Sequence, residues 1–158
     1  MVKPLVSSML CLVIGLVAAI LPATAAEGEI EWLPVKRAYN KAMQENKPLV
    51  VYLTKPTCPW CRRLEKEVLS PERFNAYADQ AVFAKADPRA DKTAGRIADS
   101  IKISGYPTVA VMYAHKDGLE EAGKVDGYYA LDPFMEIFEF SLQNWKEKAG
   151  VEREKPGN

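Results

Sequence analysis

The sequence predicts an α/β domain in which a central mixed β-sheet is flanked by helices. Three observations carry this expectation. Two short apolar runs, Leu49-Val50-Val51-Tyr52-Leu53 and Val109-Ala110-Val111-Met112-Tyr113, are rich in β-branched and aromatic residues and read as buried strands. Apolar residues at helical spacing recur around and between them. Directly after the first run stands Cys58-Pro59-Trp60-Cys61, so that a strand, a tight turn and a helix meet at two cysteines.

Taken in order, residues 1–26 read as an export signal. Lys3 is the basic start, residues 5–21 are apolar apart from Ser7 and Ser8, and Pro22-Ala23-Thr24-Ala25-Ala26 offers small residues for cleavage after Ala25 or Ala26. A membrane span needs roughly 20 apolar residues, so an uncleaved segment would instead serve as an anchor. Either way the chain is expected in an oxidising compartment where disulfides persist.

About 132 residues remain, enough for one domain with a single core, expected over 27–146. The whole chain carries 21 basic and 21 acidic side chains, and losing Lys3 leaves a net charge near −1. With no basic block, basic stripe interleaved with aromatics or glycine-rich phosphate loop, nucleic acid is not an expected partner.

Ile30 and Trp32 alternate as a short edge strand. Val35, Ala38, Tyr39, Ala42 and Met43 mark one face of a helix over 35–46, ended by Lys47-Pro48. The strand 49–53 and the cysteine helix, about 59–69, follow, with Leu64 and Val68 on the face of Cys61. Ser70-Pro71 is expected to cap a short helix carrying Phe74 and Tyr77 inward. A strand over 81–86, a loop over 87–91 and a helix over 92–101 burying Ala94, Ile97 and Ala98 come next. Pro107-Thr108 opens the strand 109–113, in whose core Met112 is expected. A turn at 115–118 and a strand over 124–129 complete a hairpin. The last helix, 133–145, buries Phe134, Ile137, Phe138, Ser141, Leu142 and Trp145, and 147–158 is expected to be a loose charged tail.

The chemistry expected of the motif follows from its place at a helix N-terminus. Unpaired backbone N–H groups and the helix dipole there favour thiolate, so Cys58 is expected to be an exposed nucleophile, titrating below the ordinary thiol value of about 8.5. Cys61, one turn further in, is the resolving thiol that attacks a mixed disulfide at Cys58. Trp60 projects between them to shape contact with a partner. Structural zinc wants four ligands, and only Cys58, Cys61 and His115 stand beyond the export segment, which also holds Cys11. A purely structural crosslink is a poor staple over so short a loop.

The order of elements, the Cys-x-x-Cys helix and Gly105-Tyr106-Pro107-Thr108 before a strand together resemble the thioredoxin fold over about 30–145. The resemblance implies a cis bond at Pro107, with Tyr106 and Pro107 beside the cysteines to bind an extended client segment. Asn46-Lys47-Pro48 and Gly127-Tyr128 are similar to exported bacterial members, such as the C-terminal domain of the disulfide reductase DsbD and SoxW-type thioredoxins. Thr57 and Pro59-Trp60 are closer to the glutaredoxin centre, and Tyr52 stands where thioredoxins keep a buried aspartate. Lys85 matches the lysine of the next strand and, with Glu65 or Asp87 as proton acceptor through water, is a candidate for tuning the thiols. Arg62 and Arg63 add positive field.

What the resemblance implies is a periplasmic protein thiol-disulfide oxidoreductase, reducing or exchanging disulfides. It needs no cofactor or metal beyond the Cys58-Cys61 pair, and it is expected to be monomeric. Its partners would be a client protein and a separate redox partner, such as a membrane electron conduit. A disulfide-forming oxidant, and a non-enzymatic module holding copper(I) or a client, are the alternatives.

Overall fold

The computed structural model describes the backbone of residues 28–154 and side chains over 28–150. The export segment with Cys11, and its cleavage position, lie outside the described residues. The elements are β1 (Trp32–Leu33), α1 (Val35–Glu45), β2 (Leu49–Leu53), α2 (Pro59–Leu64) running on as a π-helical turn (Glu65–Leu69), α3 (Glu72–Asn75), β3 (Val82–Ala86), α4 (Lys92–Ser100), β4 (Thr108–His115), β5 (Gly118–Asp126) and α5 (Leu131–Glu154).

The strands form one mixed sheet in the order β1-β3-β2-β4-β5. β2 lies at its centre, parallel to β3 and antiparallel to β4, and all five of its residues are buried. A strand buried on both faces reads as a continuous apolar run, which is why 49–53 shows no polar alternation. Its side chains still alternate. Val50 and Tyr52 face a core shared with Cys58, Cys61, Leu64, Phe74, Phe134 and Phe138, whereas Leu49, Val51 and Leu53 face Val35, Ala38, Ala42 and Ile97. Helices α2, α3 and α5 thus cover one face and α1 and α4 the other, and the cysteines belong to the first layer.

Short elements hold that layer. α3 has only four residues, yet it seats Phe74 against Phe83, Phe134 and Phe138 with ring centroids 5.2–5.9 Å apart. Such pairs add about 0.5–1.5 kcal/mol each beyond burial. α1 stops at Asn46, whose left-handed backbone (φ 50°) closes the helix.

Several boundaries differ from expectation. Ser70 does not cap α3: its hydroxyl donates to the Glu65 carbonyl at 2.6 Å, closing the π turn, and Pro71 takes the cap position. Met43 is 36% exposed and does not face the core. β5 begins at Gly118 and ends at Asp126, because a two-residue turn at Lys116-Asp117 starts the return strand at once. Charged residues along β5 hide its strand pattern. α5 continues beyond Trp145 to Glu154, into the stretch expected to be a tail; Ala149 is buried there, and Lys148 pairs with Glu120.

Candidate active site

Cys58 occupies the N-cap of α2, with extended backbone (φ −102°, ψ 106°), and Pro59 follows at the first helical position, where a missing N–H costs nothing. An N-cap side chain usually accepts from a backbone N–H of the first turn. Here the acceptor is sulfur: the Cys61 N–H donates to Cys58 Sγ at 3.1 Å. The two sulfurs are joined as a disulfide, with Cα atoms 5.2 Å apart. Bending back over its own helix also buries Cys58. It is only 3% exposed and Cys61 1%, so the expectation of an exposed Cys58 is corrected for the disulfide form.

Beneath Cys61 the buried Tyr52 takes the place expected for an acid. Its hydroxyl donates to Glu65 Oε1 at 3.0 Å and lies 3.3 Å from the Cys61 carbonyl oxygen. Glu65 Oε1 also meets Lys85 Nζ at 2.9 Å. The two tuning candidates are therefore one ion pair, held at the end of a buried phenol. Burial, and secondarily Glu65, pushes the Tyr52 phenol far above its ordinary value, so it stays a proton-bearing donor. Glu65, Lys85 and Cys61 line one cleft of about 400 Å³ with Lys55, Arg62 and Asp87. Asp87 is bound by Arg89 through two side-chain contacts and a backbone N–H, which holds its carboxyl below the usual range. Of the two acids at the cleft, Glu65 is the one carried by the helix of Cys61, one turn further on.

Tyr106 and Pro107 lie at the mouth of β4. The peptide between them is cis. Thr108, the next residue, is paired in register with Leu53 at the end of β2, so the proline loop and the loop leading to Cys58 leave the sheet side by side. Tyr106 packs against the core holding both cysteines, and Lys55 Nζ sits 5.3 Å from its ring centroid. The Pro107 carbonyl accepts from the Gly127 N–H at 2.7 Å. The Thr108 hydroxyl donates to Asp126 Oδ1 at 2.7 Å and lies 3.0 Å from the Gly105 carbonyl, tying the loop to β5.

Trp60 is 53% exposed, and sequence reasoning missed what holds it. Its ring lies 5.5 Å from that of Tyr128, and Arg63 stands over both, 4.5 Å from Tyr128 and 5.7 Å from Trp60. Glu67 accepts from Arg63 Nε at 3.0 Å and closely from the Tyr128 hydroxyl. The hydrogen bond from Tyr128, then that from Arg63, holds the Glu67 carboxyl below its usual range. The four-residue spacing of Arg63 and Glu67 was a readable signal; Tyr128, 61 positions on, was not. Among the described residues no cluster of three or more metal-ligating groups is present.

Residues 31–114 match the family described as thioredoxin-like, which is more than half of the chain. The chain belongs to the thioredoxin-like family. Among curated proteins no sequence matches it. Solved structures agree on the fold. A thioredoxin from Thermus thermophilus is 19% identical, with a TM-score of 0.65 over 82% of this chain and all of that one. A protein described as DsbH oxidoreductase gives 15% and 0.61 over 73% and 86%. The reduced DsbD C-terminal domain of Neisseria meningitidis gives 23% and 0.54 over 69% and 92%. A Cys-x-x-Cys disulfide at the head of a helix in this fold makes the chain a thiol-disulfide oxidoreductase.

Proposed function

We propose that this thioredoxin-like chain acts in the periplasm, reducing or exchanging disulfides in client proteins through Cys58 and Cys61. The observation that carries the reading is the N–H of Cys61 aimed at Cys58 Sγ at 3.1 Å. In the reduced protein that donor favours thiolate at Cys58 over the thiol. The thiolate attacks one sulfur of a client disulfide, and the other sulfur leaves as a thiolate. Cys61 loses its proton toward Glu65 through the cleft and attacks Cys58 Sγ. That breaks the mixed disulfide, frees the second client thiol and restores the Cys58–Cys61 bond. Two electrons have passed to the client, and a separate redox partner must return them.

Tyr106 and Pro107 flank the approach to Cys58, and Trp60 offers an aromatic surface beside it. The apolar, lysine-led start of the sequence supports export, and no described helix is long and apolar enough to cross a membrane. The working unit is a monomer that needs no cofactor beyond its disulfide. Insulin reduction with a dithiol donor tests the activity: it should be abolished by Cys58→Ser, while Cys61→Ser should accumulate client proteins in mixed disulfides on Cys58. Equilibration with glutathione tests direction. A centre more reducing than the glutathione couple supports the reductant, and a strongly oxidising one overturns it.

A further inference from the structure

We infer that the active-site face selects clients carrying an acidic side chain within a residue or two of the reacting cysteine, through Lys55 and Arg62. This rests on the oxidoreductase reading and adds a substrate class to it. Charges around the disulfide are not balanced locally. Glu65 is answered by Lys85, Asp87 by Arg89, and Glu67 by Arg63. Lys55 and Arg62 remain, and neither makes an ion pair among the described residues. Lys55 adds only the weakest of the pulls on Asp87.

Both are placed to meet a client. Lys55, three residues before Cys58, stands over the Tyr106 ring, and Arg62, the residue after Cys61, is exposed and reaches the Pro56 carbonyl at 3.4 Å. They line the same cleft as Cys61. The chain as a whole is neutral, with 21 basic and 21 acidic residues, so this excess belongs to the face and not to the bulk composition. A local positive field of this kind acts on encounter rate and on partner choice more than on fold.

The test uses the reduced full-length protein and short peptides with one cysteine capped by 2-mercaptoethanol, flanked by glutamates, serines or lysines. Reduction of each gives peptide thiol and 2-mercaptoethanol, with both electrons and both thiol protons supplied by Cys58 and Cys61. Rates are divided by those of dithiothreitol, which removes the effect of flanking charge on the peptide sulfur itself. At low ionic strength the glutamate peptide should react about fivefold faster than the lysine peptide, as expected for two rim charges. The difference should close near 1 M salt, where the screening length is about 3 Å. The variant Lys55→Glu/Arg62→Glu should invert the order. Equal normalised rates, a preference for lysine, or a preference untouched by salt or by the variant would overturn the inference while leaving the oxidoreductase reading intact. Failure to reduce any of the peptides that dithiothreitol reduces would remove both.

Discussion

The Tyr52 hydroxyl, on the central strand, donates at 3.0 Å to Glu65 Oε1, one turn beyond Cys61 on the helix that carries the disulfide. The buried phenol keeps its proton near neutrality, so the carboxylate of this pair stands on the helix, among the residues that line the Cys61 cleft. Lys85 completes the arrangement from β3.

Glu65→Gln keeps the size and the acceptor for Tyr52 but cannot accept a proton. Formation of the mixed disulfide on Cys58 should be unchanged, while its resolution by Cys61 should slow about a hundredfold at pH 7, the lower end of what a positioned base contributes. The deficit should shrink as pH rises toward the ordinary thiol value of about 8.5. Rapid-quench separation of the two steps is the measurement, and an equal slowing of both would count against a proton-transfer role.

Tyr52→Phe removes the donor and leaves Glu65 and the Cys61 carbonyl one hydrogen bond short. A loss of about 1.5–3 kcal/mol is expected for a hydrogen bond to a charged group, seen as a lower melting temperature. The alkaline limb carries the sign. A phenol whose folded value is raised contributes stability fully present below about pH 10 and lost as pH climbs above its unfolded value. Wild type should therefore lose stability above pH 10 more steeply than Tyr52→Phe in urea titrations across that range.

The Trp60 shelf should loosen in acid. The Glu67 carboxyl is lowered by Tyr128 and then Arg63, so the shelf it ties together is intact at and above the ordinary carboxylate range and is lost as pH falls below that range through the depressed folded value. The indole N–H resonance of Trp60 should shift in that window. In Glu67→Gln it should already sit near the acid position at neutral pH.

Gly123 on β5 faces α5 so closely that a Cβ there would clash with Ser141 Oγ and lie 2.8 Å from Ser141 Cβ. Gly123→Ala should cost about 1–3 kcal/mol by overpacking. Adding Ser141→Ala should recover only part, since the Ser141 Cβ and Cα remain within 3.2 Å. Chemical denaturation of the single and double variants measures both.

Much of this architecture was legible in the residues because burial leaves a period. The run 49–53, the helical faces of α1, α4 and α5, and the cysteines at a strand-to-helix turn all announce themselves within a dozen positions. What was hidden is non-local or depends on hydrogen bonding. The contact of Tyr52 with Glu65 spans 13 residues and that of Tyr128 with Glu67 spans 61, and neither leaves a pattern. The π turn at 65–69, closed by the Ser70 N–H and hydroxyl on the Glu65 carbonyl, is a hydrogen-bonding choice that the apolar period does not reveal. β5 is lined with Glu120, Glu121 and Lys124, so its first residues read as loop. The burial of Cys58 was misjudged because its sulfur acts as the helix cap and turns inward.

The pH dependence of alkylation at Cys58 bears most directly on the claim that a backbone N–H at the head of α2 activates this sulfur. Reduced protein carrying Cys61→Ser keeps the donor, and the labelled Cys58 peptide can be followed by mass spectrometry at each pH. The account predicts half-maximal reactivity well below the ordinary thiol value of about 8.5. A Cys58 that titrates at or above that value in the folded protein, like the same cysteine after unfolding, would contradict it.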